Sequence, residues 1–87
     1  MSEVPTVPSV LRVGPYRFHF YAGEGDEPPH VHAARDRAEV KLWLDPVSVA
    51  RSQGFRAAEL RRIQRITQDH QAALLDAWNN RPLPGSA

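Results

Sequence analysis

Ala38-Glu39-Val40-Lys41-Leu42-Trp43-Leu44 alternates without a break. Successive side chains of a strand point to opposite faces. Val40, Leu42 and Leu44 therefore share one side, the core side, and Glu39, Lys41 and Trp43 share the other. One such strand, apolar on one face and polar on the other, implies an antiparallel sheet with one covered and one wet face. The neighbouring stretches agree. Tyr16-Arg17-Phe18-His19-Phe20-Tyr21 places Tyr16, Phe18 and Phe20 on one face and Arg17, His19 and Tyr21 on the other. Aromatics at period two are a strand signal. Val10 to Val13 reads as a strand before it, joined by the turn signal Gly14-Pro15. His30 to Ala34 reads as a further strand, ended by the polar turn Arg35-Asp36-Arg37. After Asp45-Pro46, Val47-Ser48-Val49 fits either a short fifth strand or a turn of helix. Ser52 to Phe55 reads as a loop.

Beyond Phe55 the period changes to 3.6. Leu60, Ile63, Ile66, Thr67, His70, Leu74, Ala77 and Trp78 fall on one broad face. This predicts a single helix from about Ala57 to Asn79, with a poor cap because Arg56 cannot accept a backbone N–H. Pro82 and Pro84 forbid continuation. The expected fold is α+β: a small antiparallel sheet of four or five strands packed against one long C-terminal helix. The organisation follows as a flexible N-terminal arm (1–9), one domain (10–80) and a tail (81–87).

The 87 residues suffice for one modest core. There is no cysteine, so neither a disulfide nor a thiolate metal site is available. No apolar run approaches a membrane span, and the first residues lack a signal-peptide pattern. A cytoplasmic protein is the expectation. The net charge of +1 gives no global field for nucleic acid. Arginine outnumbers lysine ten to one, which fits either coding bias or bidentate recognition of phosphate and carboxylate.

Glu27-Pro28-Pro29-His30-Val31-His32 concentrates the groups able to do chemistry. Prolines stiffen the loop exit, Glu24 and Asp26 lie just upstream, and His30 and His32 share a strand face. His30 and His32 suit two imidazole ligands of a divalent metal such as Zn²⁺, with His19, Glu24, Asp26 or water completing it. No cofactor is otherwise expected. A metal-free site is the alternative, with His19, His30 or His32 as acid and base and Arg17 for a phosphate. A third reading makes both histidines structural, His30 bonding a loop carbonyl and His32 packed away. If functional, both should stay solvent-accessible. Arg61, Arg62 and Arg65 form a cluster that meets nucleic acid or an acidic partner, or is simply solvated. Trp43 and Tyr21 on the wet face suggest apolar surface for a homodimer or hetero-complex.

The chain resembles the small bacterial proteins grouped as domain of unknown function 4160. The resemblance rests on Val10 to Phe18, Glu27-Pro28-Pro29-His30-Val31-His32, Ala38 to Val47, and Gly54-Phe55 leading into Glu59-Leu60-Arg61-Arg62-Ile63. It spans roughly Val10 to Trp78. The N-terminal arm is longer than expected for the family, and Arg56 stands where a Ser or Thr cap is usual. The resemblance implies a bacterial accessory protein acting with a small protein partner encoded nearby, as in a toxin–antitoxin-like pair. A small ribonuclease or metal-dependent hydrolase using the His-x-His strand is the second function class, and a non-catalytic binding module the third. Whether the protein is an enzyme stays open at this level.

Overall fold

A computed structural model of the chain describes residues 9–21 and 27–81. The expected arm up to residue 8, the loop positions Glu24 and Asp26, and the tail from residue 82 lie outside the described residues. Five strands form, β1 (Ser9–Val13), β2 (Tyr16–His19), β3 (His30–Arg35), β4 (Ala38–Leu44) and β5 (Val47–Gln53). They are followed by α1 (Ala57–Asp69) and α2 (Gln71–Asn79). The sheet order is the chain order, and every pairing is antiparallel.

Local chemistry explains the turns. Gly14 takes φ +56° between β1 and β2, a conformation that costs glycine nothing. Asp36 takes φ +55° in the two-residue link between β3 and β4, where a short polar side chain tolerates the left-handed region. β5 is longer than the sequence suggests. Leu42 pairs with Val49 and Lys41 with Arg51, so Ala50 is an extra residue, a β-bulge. The bulge reverses the alternation and conceals the strand from a period-two reading.

The covered face carries the core. Tyr16, Phe18, Val31, Ala33, Val40, Leu42 and Leu44 are all buried, packed with Ile63 of α1 and Leu74 and Trp78 of α2. α1 lies against β5 and β4, and α2 against β4. Arg56 makes no side-chain cap bond. The first turn of α1 is anchored from the sheet instead. Glu59 accepts Arg35 Nε at 2.7 Å and Nη2 at 2.8 Å, and the Tyr16 hydroxyl at 2.7 Å. These bonds hold the Glu59 carboxyl below its ordinary range, while burial and then the Glu59 contact raise the Tyr16 phenol.

The single long helix is not what forms. The helical segment has the expected ends but breaks at His70, with φ −111° and ψ 16°. Its N–H donates to Ile66 O and Thr67 O, and its Nδ1–H donates to Ile66 O at 2.9 Å. Its own carbonyl then accepts Leu74 N–H at 2.9 Å and starts α2. Two side chains favour the break. Thr67 Oγ1 donates back to Ile63 O at 2.7 Å, a bond that bends helices. Gln71 Nε2 donates to Leu44 O at 2.7 Å, tying the start of α2 to the end of β4. Among the described residues, no helix is long and apolar enough to cross a membrane.

Candidate functional site

The open face is organised by strand register. His19 of β2, His32 of β3, Lys41 of β4 and Arg51 of β5 pair in succession across four strands. The next row on the same face is Arg17, Ala34, Glu39 and Gln53. A line of basic side chains thus runs beside Glu39, with Glu27 pairing Lys41 from the loop before β3. Arg51 reaches this face because the bulge at Ala50 turns it away from the side of Val47 and Val49.

Glu39 is the centre of the cluster. Its Oε2 accepts the Tyr21 hydroxyl at 2.5 Å and lies 3.5 Å from His32 Nδ1 and 3.6 Å from His19 Nε2. The two imidazoles stack with centroids 5.7 Å apart, and the Tyr21 ring lies 4.3 Å from His32 and 4.9 Å from His19. Lys41 pairs with the Glu27 carboxylate, and its ammonium sits 4.8 Å from the Trp43 ring centroid. Tyr21, His32, Glu39, Lys41 and Arg51 line a pocket of about 410 Å³, its open mouth included, with Ser52 and Gln53 at its side.

The expected site residues divide. His19 and Tyr21 share the open face as assigned, and His32, whose face the sequence left open, lies with them. Accessibility is the part that fails, since His30 is 0 % and His32 2 % exposed. His30 Nδ1 lies 2.9 Å from Pro28 O; a carbonyl only accepts, so the ring nitrogen donates. The His30 ring sits 4.8 Å from that of Trp78 and 5.8 Å from that of Trp43. Leu44 N–H donates to Pro29 O, which fixes the Pro-Pro entry onto β4. These contacts match the structural reading of His30, while His32 is both packed and pocket-lining. Arg17 is exposed one row away and does not line the pocket. Arg61, Arg62 and Arg65 lie together on α1, on the other side of the sheet. Trp43 is half-buried, so Tyr21, 38 % exposed, is the one exposed large hydrophobic side chain among the described residues. The apolar surface expected for association is correspondingly small. Sequence reasoning missed Glu39, Lys41 and Arg51 as site members. A charged residue at a core-facing parity, as Arg51 is when counted from Val49, was the available signal for a register change.

The described residues contain no group of three or more histidine, aspartate or glutamate side chains placed to hold a metal ion.

His19 Nδ1 is buried with no hydrogen-bond partner. Burial pushes this imidazole below its ordinary value of 6.5. Glu39 pulls the other way, as does the Arg17 backbone, which falls short of hydrogen-bond geometry. The unfolded chain then takes up a proton at His19 more readily than the native one. Stability from this group is full above 6.5 and is lost as pH falls from there through the lower native value. Melting temperature should therefore fall on acidification through this window, and His19→Gln should flatten the dependence. Equal slopes in both proteins would contradict it.

Residues 16–79 match the family model described as Domain of unknown function (DUF4160). No curated protein and no solved structure matches the chain.

Proposed function

The chain belongs to the DUF4160 family, whose description carries no activity, and on that premise we propose that the open-face pocket cleaves RNA without a metal. The observation that carries this reading is the convergence of His32, Glu39, Lys41 and Arg51 on one pocket. An imidazole beside an orienting carboxylate is a general base, and two cations beside it suit a phosphate. The 3.5 Å separation of His32 from Glu39 is long for a hydrogen bond, as catalytic pairs often are before substrate binds.

The chemistry balances as follows. His32 takes the proton of a ribose 2′-hydroxyl, and that oxygen forms a bond to the adjacent phosphorus. The bond from phosphorus to the 5′-oxygen breaks, and the Lys41 ammonium supplies the proton for the leaving oxygen. Solvent then carries the proton from His32 back to Lys41. Arg51 holds the non-bridging oxygens, and Glu39, steadied by Tyr21, keeps the His32 ring oriented. The products are a 2′,3′-cyclic phosphate and a 5′-hydroxyl. His32 and Lys41, 2 % and 5 % exposed, must both be uncovered as substrate enters, and Lys41 must exchange Glu27 for the phosphate.

An RNA-cleaving protein of this size also suits the accessory role expected from the family resemblance, as the toxic member of a toxin–antitoxin-like pair with a small protein partner. Purified protein in excess chelator should cut single-stranded RNA to fragments with cyclic phosphate ends and leave the 2′-O-methyl analogue intact. Induction in a bacterial host should arrest growth with RNA fragmentation. Intact RNA across varied sequences, with the protein folded, would refute the activity.

A further inference from the structure

On the far side of the molecule, Ala58, Arg61, Arg62 and Arg65 line a shallow hollow of about 580 Å³, its open side included. Their spacing of three, four and seven residues makes one stripe along α1. All four are exposed. Among the described residues, Arg61 and Arg65 have no ion pair. Glu59, the acidic residue of the first turn, is turned inward to Arg35 and Tyr16. Arg61 and Arg65 are like charges one turn apart, an arrangement that destabilises a helix. Arg56 at the N-cap adds positive charge where the helix macrodipole is already positive. Arg61 and Arg65 thus stand as neighbouring like charges that the helix's own folding does not favour, while Arg62 lies near Glu59 and Tyr16.

We infer that Ala58, Arg61, Arg62 and Arg65 form a docking stripe for an acidic helical segment of a partner protein. Carboxylates four residues apart on such a helix repeat at the spacing of Arg61 and Arg65, and each guanidinium can fork onto one of them. Ala58 leaves room at the floor for a close-approaching backbone. A nucleic acid strand fits less well. None of the four lining residues is an aromatic on which a base could stack. The stripe lies opposite the pocket, so docking there leaves the pocket open and does not depend on its chemistry.

The test uses the full chain and two probes: a capped alanine-based helical peptide with glutamate pairs at i and i+4, and a single-stranded oligothymidylate of equal charge. Fluorescence anisotropy at low ionic strength should show the peptide binding, with the oligothymidylate at least tenfold weaker. Arg61→Glu/Arg65→Glu should weaken the peptide by at least tenfold. Arg17→Glu/Arg37→Glu, with the same change in net charge, should leave it within about twofold. Circular dichroism confirms that both variants fold; if the Glu pair does not, Arg61→Gln/Arg65→Gln replaces it with the same expectation. No peptide binding, equal loss in the charge control, or oligothymidylate binding as tight as the peptide would each overturn the inference.

Discussion

Replacing Glu39 by glutamine is expected to slow the proposed RNA cleavage by about 10²–10⁴-fold, the usual contribution of an oriented acid–base pair. The amide keeps the size of the carboxylate but has an NH₂ face as well as an oxygen. It can therefore hold His32 in either tautomer, and the ring loses the charge that favours its protonated form. Glu39 acts through His32, so it is a positioning residue. Three readouts separate that role from a structural one. The pH–rate profile should shift on its acidic limb, nitrogen NMR of His32 should report a changed tautomer, and the melting temperature at neutral pH should move by only a few degrees. Glu39 also opposes the burial-driven lowering of His19, so the variant should be more sensitive to acid than wild type. Full activity with an unchanged pH profile would remove Glu39 and the pocket chemistry together.

The second large effect is on stability. Gly54→Ala should destabilise the fold by roughly 2–5 kcal/mol, combining backbone strain with an overpacked contact. Gly54 takes φ +90°, and an added Cβ would lie 2.9 Å from Ala38 Cβ and 3.1 Å from Ala38 Cα. Neither atom is the end of a flexible side chain, so the loop into α1 or the start of β4 would have to move. Gly14→Ala provides the comparison. It shares the positive φ, at +56°, but a Cβ there meets nothing within 4 Å, and its cost should be nearer 1–2 kcal/mol. Thermal melts of both variants should therefore separate by several degrees. Equal losses would show that close packing against Ala38 contributes nothing.

Strand alternation was legible wherever one face is apolar and the other polar. Tyr16 to Tyr21 and Ala38 to Leu44 were assigned to the faces they occupy, which placed His19 and Tyr21 together. Where the backbone departs from regular pairing, the sequence misled. The extra residue Ala50 made the β5 pattern end early in the sequence and hid Arg51. The apolar stripe runs through His70 without interruption, so the break there had no periodic signature; it depends on bonds from Thr67 and Gln71 that only the tertiary arrangement reveals. The burial of His30 between two tryptophans was equally hidden, because Trp78 lies 48 positions along the chain. Parity alone put His30 beside His32 but said nothing about what would cover it.

Each strand pairs only with the strand made immediately before or after it. This arrangement bears on how the chain reaches its native state. Every pairing closes a short stretch of backbone, so the entropic cost of bringing partners together stays low at each step. The sheet can grow from any one hairpin outward, in either direction, without waiting for distant segments to meet. Such local topologies fold rapidly for their strand content. The long-separation contacts are those of the two helices with the sheet, as in Tyr16 with Glu59 and Phe20 with Trp78. A nascent chain emerging from the ribosome therefore has its whole sheet available before the helices that cover it. Until α1 and α2 are released, Phe18, Val40 and Leu42 stay open to solvent.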